Sequence, residues 1–397
     1  MNPRSAFRRR PRRTAGLAVA LGCATAAALA GVLGPAAAGE ADAGATLRRD
    51  AEAVHRAGAV GVTAVLDTPD GTRAAHSGTA DLATGAPARP DARFRAGSTA
   101  KPFVATVALR LVAEGELSLD DTVEEWLPGL VAGNGHDGTR VTVRDLLQQT
   151  SGLPDYLPRP DVLPAFHSAE GFHAHHLRRY TDEELVEGAL RSPEEFAPGS
   201  EWGYSNTNYV LVGMIIERVT GNSWQREVRD RVIEPLGLAD TETPEDDPYL
   251  EPPFLSGHHV FPEGGEYVDT TVFHPSAASA GGALVTTPGD IDRFLTALLG
   301  GELLPPEQLD EMLRARDTGR EGVGYGLGLF RRELSCGGVY WGHSGTLLGY
   351  HNENGVTPDG ERAVTVATNS FDFADEAAQD RVDAAMTGLV DRALCAE

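Results

Sequence analysis

Residues 94–101 read Phe-Arg-Ala-Gly-Ser-Thr-Ala-Lys and open a long helical pattern. Apolar residues recur at helical spacing behind this stretch and predict a helix from Ser98 to Glu114. In such a helix Ser98 and Lys101 are three positions apart and share one face. Lys101 is also the only lysine in a chain with 34 basic residues, which draws attention to its amine. A leftover lysine in an arginine-biased chain is the alternative interpretation.

Ser98 and Lys101 are the residue types that nucleophilic catalysis needs. A serine hydroxyl cannot attack a carbonyl at neutral pH unless a neighbouring group takes its proton. A lysine inside a closed site can lose its charge and accept that proton, or its cation can lower the pKa of another base. The N-terminus of the helix favours negative charge that develops beside Ser98. The motif alone is short and occurs by chance in many chains.

Two later segments offer groups that would complete such a site. Residues 204–206, Tyr-Ser-Asn, supply a phenol that can become a general base near a cation and an amide that can position Lys101 and a substrate carbonyl. Residues 342–346, Gly-His-Ser-Gly-Thr, follow a short strand pattern, and the Thr346 N–H can form an oxyanion hole with the Ser98 N–H. A surface turn and a glycine-rich hairpin with a satisfied histidine are the alternative interpretations.

The three segments stand in the order of the penicillin-recognising serine enzymes, which is S-x-x-K, then [SY]-x-N, then [KH]-[ST]-G. Ser98 and Tyr204 are 106 residues apart, and Tyr204 and His343 are 139 residues apart. With tyrosine in the second motif and histidine in the third, residues 45–395 resemble the secreted serine D-alanyl-D-alanine carboxypeptidases grouped with class C β-lactamases. Other similar segments are residues 94–98, 146–153, 198–206 and 324–329.

The resemblance implies an enzyme that forms an acyl-enzyme on peptidoglycan-type D-Ala-D-Ala peptides and binds β-lactams, with no cofactor and no metal. It makes Ser98 the acylated nucleophile and Lys101 its cationic or amine partner. It makes Tyr204 a general base whose pKa is lowered by nearby positive charge, and leaves open which group takes the first proton. It makes Asn206 a residue that positions the substrate and Lys101. His343 would replace the lysine of K-T-G and support the Tyr204 proton network. The remaining implied residues, which join Ser98 in binding the substrate and its oxyanion, are Ser344, Gly345 and Thr346.

Two positions depart from the pattern of these carboxypeptidases. Close relatives carry arginine directly after the Gly-Leu-Gly-Leu segment, where it helps to hold the terminal carboxylate of the substrate, and this chain has Phe330. Strand alternation would send Arg331 to the other face and return Arg332 to the face of Phe330. Recognition of a free D-Ala carboxylate is therefore less well supported than acyl-enzyme chemistry.

Gln149 stands where many relatives have histidine, and we expect it to lie outside the immediate site.

Other functions are open on the same scaffold, namely a β-lactamase, an esterase or a D-aminopeptidase. A non-catalytic penicillin-binding sensor would have lost part of the Ser, Lys and Tyr set, which this chain keeps. The absence of a G-x-S-x-G motif argues against an α/β-hydrolase.

A metal hydrolase would need clustered ligands, and two histidine groups lack the helix or strand context of a zinc site. Those groups are His173, His175 and His176, and then His258 and His259.

Strand patterns lie at both ends of the chain and helical patterns lie between them. Residues 61–67 and 72–79 predict two strands, and strands are also predicted at 325–334, 339–342, 351–357 and 363–368. Helices are predicted at 143–149, 181–190, 208–220, 287–299 and 374–394, with an irregular loop at 245–275. This order indicates an α/β fold of the α+β type. The resemblance implies the β-lactamase/transpeptidase-like fold, a five-stranded antiparallel sheet flanked by helices. Its sheet part would be about 45–97 and 280–397, with a mainly helical part at about 98–279 inside one domain from 45 to 397.

Residues 1–38 have the pattern of a secretory signal peptide, with six arginines before an Ala- and Leu-rich run and an Ala-Ala-Ala cleavage site at 36–38. A single membrane anchor is the alternative. Cleavage would remove six arginines and no acid, taking the net charge from −24 to −30. So acidic a chain disfavours nucleic-acid partners, because it repels phosphate backbones. We therefore expect a secreted enzyme, and a monomer.

Three cysteines are present, and one of them, Cys23, would leave with the signal peptide. Cys336 and Cys395 then form one even pair in an oxidising compartment, so a disulfide between them is predicted. Two buried free thiols are the alternative.

Overall fold

The computed structural model describes residues 35–396, with side chains from residue 43 onwards. Most of the predicted signal peptide and Cys23 lie outside the described residues, and residues 35–38 begin the first helix. No helix in the described part of the chain is both long and apolar enough to span a bilayer. The α-helices are α1 Pro35–Ala57, α2 Ala100–Glu114, α3 Val123–Trp126, α4 Val143–Gln148, α5 Ala169–His175, α6 Asp182–Ala189, α7 Asn206–Thr220, α8 Trp224–Val228, α9 Glu234–Leu236, α10 Ser279–Gly282, α11 Pro288–Leu299, α12 Pro306–Met312 and α13 Glu376–Cys395.

The strands come mainly from the two ends of the chain. They are β1 Gly61–Asp67, β2 Arg73–Asp81, β3 Ala86–Pro87, β4 Phe94–Arg95, β5 Ala132–Gly133, β6 His136–Asp137, β7 His258–Val260, β8 Val268–Asp269, β9 Val285–Thr286, β10 Arg316–Arg320, β11 Val323–Tyr325, β12 Phe330–Glu333, β13 Val339–Gly342, β14 Gly345–Leu347, β15 Tyr350–Val356, β16 Ala363–Thr368 and β17 Ser370–Asp372. The three-residue strands β7 and β17 pair in parallel, so the segment 245–275 is less irregular than predicted.

One antiparallel sheet dominates the structure, in the order β10-β11-β12-β13-β15-β16-β1-β2-β3, with β14 paired to β15. The N-terminal strand β1 lies between its own hairpin partner β2 and the C-terminal strand β16. Closing the sheet therefore brings the two ends of the chain together, as the sequence predicts. The sheet has ten strands among the described residues rather than the implied five, because short strands extend it at both edges.

Helices cover both faces of this sheet. All six residues of β16 are buried, which is expected of a strand with helices on each side. Val364 and Val366 point into a core shared with α1 and α13. Thr365 points to the other face, where its hydroxyl donates to the buried Asp292 of α11. The predicted fold class, helices flanking an antiparallel sheet, is confirmed.

Residues 325–334 do not form the single strand that their pattern predicts. The chain reverses at 326–329, where the Gly326 N–H donates to the Leu329 carbonyl at 2.8 Å, so β11 and β12 are neighbouring antiparallel strands. Gly328 has a φ of 92°, and a Cβ there would lie 2.7 Å from the Ala105 Cβ of α2. The glycines of this segment make a turn that packs against the helix carrying Lys101.

The structure joins Cys336 and Cys395 in a disulfide, with their Cα atoms 5.8 Å apart. The bond ties the end of α13 to the turn that follows β12, and 59 residues separate the two cysteines.

Removal of this cross-link should destabilise the protein. A loop of this length constrains the unfolded chain, so Cys336→Ser/Cys395→Ser should lower the free energy of unfolding by up to about 4 kcal/mol. Denaturant unfolding of the oxidised wild type and of the variant measures the difference. Equal stabilities of the two proteins would contradict the expectation.

Candidate functional site

Ser98 lies in a short 3-10 turn, Gly97–Thr99, that leads directly into α2. Its side chain is half-buried. Gly97 has a φ of 55°, and a Cβ on it would lie 2.9 Å from the carbonyl oxygen of Thr346. The missing side chain at 97 lets the strand that carries Thr346 pass directly beside the nucleophile. Ser98 is also in the first turn, where N–H groups lack helical acceptors.

Lys101 is completely buried, and three oxygens surround its amine. The Nζ atom lies 3.0 Å from Ser98 Oγ, 2.8 Å from Asn206 Oδ1 and 2.7 Å from the Gly281 carbonyl oxygen. The amide and carbonyl oxygens can only accept hydrogen bonds, whereas the serine hydroxyl can also donate one. A neutral amine therefore donates its two protons to Asn206 and Gly281 and directs its lone pair at Ser98.

Burial sets the charge of this amine. Loss of hydration lowers the pKa of Lys101 from 10.5 to about 7, an effect that nearby Asp155 partly opposes. Near neutral pH a large share of the molecules thus hold an uncharged amine beside the Ser98 hydroxyl. Of the two routes open from the sequence, the geometry favours the one in which lysine itself accepts the proton.

The segment 204–206 is fixed by residues that the sequence motifs do not include. Asn206 begins α7, and its Nδ2 donates to Asp155 Oδ2 at 2.9 Å while its backbone N–H donates to Asp155 Oδ1 at 3.2 Å. Gln149 Oε1 accepts from the Ser205 N–H at 3.0 Å and from Asn208 Nδ2 at 2.6 Å. Asp155 thus sets the orientation of the Asn206 amide that faces Lys101. The position of Asp155, directly after Gly-Leu-Pro, gives no sequence signal of this role.

Tyr204 faces the same site, but its pKa is shifted in the direction opposite to the one expected. Its ring centroid lies 5.0 Å from Lys101 Nζ. Its buried hydroxyl lies beside the Ser98 side chain, but the two groups do not have the geometry of a regular hydrogen bond. Burial raises the pKa of Tyr204 well above its ordinary value, and the neighbouring Tyr325 raises it further. The expected lowering of this pKa by positive charge is wrong for the free site, because burial dominates and the opposing effect comes from Ser98 and not from a cation. Tyr204 therefore holds its proton.

His343 is a neutral histidine whose contacts also differ from the expectation. Burial, together with the charge of Lys101, lowers its pKa to about 3. Its Nδ1 lies 2.6 Å from the Ser344 carbonyl oxygen, which can only accept, so Nδ1 carries the proton. Its Nε2 therefore accepts from the Tyr325 hydroxyl at 3.2 Å. The histidine hydrogen-bonds to Tyr325 and meets Tyr204 only through ring packing, with centroids 6.1 Å apart.

The third motif places a strand edge beside Ser98. Gly345 is tightly enclosed, since a Cβ on it would lie 1.9 Å from the Ala96 carbonyl oxygen. Ser344 and Thr346 are half-buried. The Thr346 hydroxyl lies 2.7 Å from Nδ1 of His351, a residue that the sequence motifs do not include. This arrangement leaves the Thr346 backbone next to the nucleophile, where an oxyanion hole requires donors.

Phe330 and Arg332 share one face of β12, as alternation predicts. The Phe330 ring packs on Tyr325 with centroids 4.6 Å apart and on His343 at 5.0 Å. The Arg332 guanidinium lies over the Phe330 ring and binds Glu353 at 3.1 Å. An aromatic wall thus stands where the resemblance implies a cation, and the neighbouring cation is already paired.

An apolar cavity of about 350 Å³ begins beside the site. Asp155 and Thr346 belong to its wall and link it to the groups around Ser98. The other residues that line it are Leu157, Pro158, Phe166, His167, His259, Pro262, Leu347, Leu348 and Phe373.

The two histidine groups of the sequence do not meet at a metal site. His173 and His175 are exposed at the end of α5, and His258 Nε2 accepts from the Leu82 N–H at 3.3 Å. Within residues 35–396, no three His, Cys, Asp or Glu side chains come together as metal ligands would.

Known proteins share this sequence pattern and fold. A family model described as Beta-lactamase matches residues 22–387. Esterase EstB of Burkholderia gladioli is 34% identical over 307 residues, 67% of this chain and 77% of that protein. Penicillin-binding protein 4 of Amycolatopsis lactamdurans is 30% identical over 232 residues, 58% of this chain and 56% of that protein. The solved structure of a D-stereospecific amidohydrolase from Streptomyces sp. is 36% identical and superimposes with a TM-score of 0.78, covering 86% of this chain and 98% of that one.

The charge of Lys101 should control the reactivity of Ser98. Because the amine accepts a proton only when it is neutral, the rate of Ser98 acylation by a p-nitrophenyl ester should rise with pH, with a midpoint of about 7. Lys101→Arg should stay nearly inactive across the same range, because a guanidinium keeps its proton. Stopped-flow release of p-nitrophenol measures the rate. A wild-type rate independent of pH, or an active Lys101→Arg, would contradict this assignment.

Proposed function

This chain belongs to the β-lactamase family of serine hydrolases, and we propose that it hydrolyses amides or esters of D-amino acids through an acyl-enzyme on Ser98. The observation that carries this choice of substrate is the aromatic wall formed by Phe330. A carboxypeptidase must hold a free carboxylate, and a buried apolar ring supplies no charge for that purpose.

The proposed reaction begins with Lys101, which is in contact with Ser98, and uses other groups that surround the two. As Ser98 Oγ bonds to the carbonyl carbon, its proton passes to the lone pair of Lys101 and the carbonyl oxygen becomes an oxyanion near the Ser98 and Thr346 N–H groups. The C–N or C–O bond then breaks, and its electron pair leaves with the amine or alcohol. That leaving group takes the proton from Lys101, directly or through the protonated Tyr204. Water attacks the Ser98 ester by the same route and releases the acid.

The neighbourhood of Phe330 supports an uncharged leaving group. Arg332 is the cation that shares the face of β12 with Phe330, but its guanidinium is bound to Glu353. Moving it to a substrate carboxylate would leave Glu353 partly buried and unpaired, which is unfavourable. An amide or ester leaving group needs no such cation.

The opposite side of the site supports a substrate with an amino group and an apolar side chain. Asp155 is an acid in the wall of the apolar cavity, and its Oδ1 already accepts from the backbone N–H groups of Leu157 and Asn206. Its Oδ2 accepts only from the Asn206 side chain and keeps a free lone pair. An ammonium group of an amino-acid amide would find an opposite charge there, and its side chain would fit the cavity. The similarity to a D-stereospecific amidohydrolase and to an esterase agrees with this class of substrate.

The D-alanyl-D-alanine carboxypeptidase implied by the sequence is the second candidate, together with β-lactam binding. It is favoured by the complete motif order from Ser98 to His343 and by the similarity to a penicillin-binding protein. Both candidates share the acyl-enzyme and differ in what the leaving-group side recognises.

We further propose that the enzyme is exported. The N-terminal pattern of residues 1–38 is that of a secretory signal peptide. The disulfide between Cys336 and Cys395 agrees with an oxidising compartment.

Phe330 should determine the preference for the leaving group. We expect the wild type to favour the C-terminal amide of a D-Ala-D-Ala peptide over the free acid, and to cleave D-phenylalaninamide. Phe330→Arg should raise the acid-to-amide ratio of kcat/KM by about tenfold or more, since a charge-assisted hydrogen bond contributes about 1.5–3 kcal/mol. Arg332→Ala should change the ratio little.

Phe330→Leu is the matched control, because it keeps an apolar wall and should keep the wild-type ratio. Because kcat/KM is compared for two substrates of the same enzyme preparation, a smaller fraction of folded enzyme lowers both values equally and leaves their ratio unchanged. If Arg332→Ala collapses the ratio while Phe330→Arg leaves it unchanged, carboxylate recognition has moved along the strand and the carboxypeptidase is the better assignment.

A further inference from the structure

The Gly281 carbonyl that binds Lys101 belongs to a short and unusual segment. It lies in the four-residue helix α10, which begins at Ser279. Ser279 has a φ of 43°, in the left-handed region that a serine seldom adopts. Its backbone nevertheless closes the helix, since its carbonyl accepts from the Ala283 N–H at 2.8 Å. Something outside α10 must hold this residue in an unfavourable conformation.

The side chain of Ser279 shows what holds it. Its hydroxyl donates to Asp182 Oδ1 at 2.6 Å, which is a short, charge-assisted hydrogen bond. Asp182 is the first residue of α6, a helix whose N-terminus is capped by Thr181 and Glu184. The position of the carboxylate is therefore fixed by the helix. Ser279 itself is buried, with 4% of its surface exposed. The bond connects α6 to the segment that presents the Gly281 carbonyl.

We propose that Asp182 and Ser279 are a positioning pair, which holds α10 so that the Gly281 carbonyl orients the Lys101 amine toward Ser98. The proposal rests on the proposed function, in which Lys101 accepts the Ser98 proton. Asp182 acts through Ser279 and contacts no reacting atom, so it is a positioning residue and not a catalytic one.

The orientation of the amine explains why this distant bond affects the reaction. Lys101 directs its lone pair at Ser98 only while Asn206 and Gly281 both accept its protons. If α10 relaxes, the Gly281 carbonyl withdraws and the amine is free to donate to Ser98 rather than to accept from it. A lone pair turned away from the hydroxyl slows acylation but leaves the substrate cleft intact. The expected loss is therefore in kcat and not in KM.

Four variants of the pair test this link, with hydrolysis of a p-nitrophenyl ester as the assay. Asp182→Ala and Ser279→Ala should each lower kcat on the order of 10- to 100-fold with little change in KM, because small misplacements of reacting groups are costly. Asp182→Asn keeps an oxygen acceptor for the hydroxyl and should recover most of the activity. Ser279→Gly should lose less than Ser279→Ala, because glycine adopts a positive φ without a partner to hold it.

Two further variants separate this effect from general destabilisation. Glu183→Ala removes the neighbouring exposed acid of the same helical turn and should leave kcat near the wild-type value. Asp182→Ala/Ser279→Ala should be no worse than either single variant, because both changes remove the same interaction. Circular dichroism of each variant confirms that the measured enzyme is folded.

The outcomes distinguish this proposal from the proposed function. Wild-type kcat in both Asp182→Ala and Ser279→Ala, or equal losses in kcat and 1/KM that Asp182→Asn does not restore, would overturn the positioning pair. Wild-type activity in Ser98→Ala or Lys101→Ala would instead overturn the acyl-enzyme assignment on which it rests.

Discussion

The buried amine of Lys101 is the constraint on which the rest of this structure depends. An ammonium group removed from water is strongly disfavoured unless oxygens replace its hydration. Here those oxygens come from three separate segments, at Ser98, Asn206 and Gly281. The start of α2, the start of α7 and the short helix α10 must therefore meet at one point. The helical part and the edge of the sheet are packed around that meeting point.

The regular parts of the fold could be predicted because their patterns are local. Strands β1 and β16 occur with the predicted bounds, 61–67 and 363–368, since continuous apolar β-forming residues define them. The single strand predicted over 325–334 was wrong. Whether a Gly-Leu-Gly segment continues a strand or reverses depends on what packs against it, and here Gly328 accommodates the close approach of α2.

The site residues, like the elements of the fold, could be predicted where a local sequence motif marks them and not where only spatial neighbours give them a role. The motifs predicted that Ser98, Lys101 and Asn206 form one cluster, and the structure brings them into contact. The roles of Asp155 and Gln149 in holding residues 205 and 206 could not be predicted, because those partners are more than fifty residues away in sequence. Gly281 contributes only its backbone carbonyl, and a role of the backbone cannot be predicted from the type of residue. The pKa of Tyr204 was expected in the wrong direction, because burial is a property of the packed structure.

Lys101 is proposed as the base because burial lowers the pKa of its amine to about 7. The chain has no other lysine, so protein labelled with 13C at the lysine Cε gives one signal, from the carbon that bears the amine. Following that signal by NMR as pH is raised reports the charge of this amine directly. The account predicts a titration midpoint at about 7. A midpoint near 10.5, the ordinary value for lysine, would show that the amine stays charged at neutral pH and would contradict its assignment as the base.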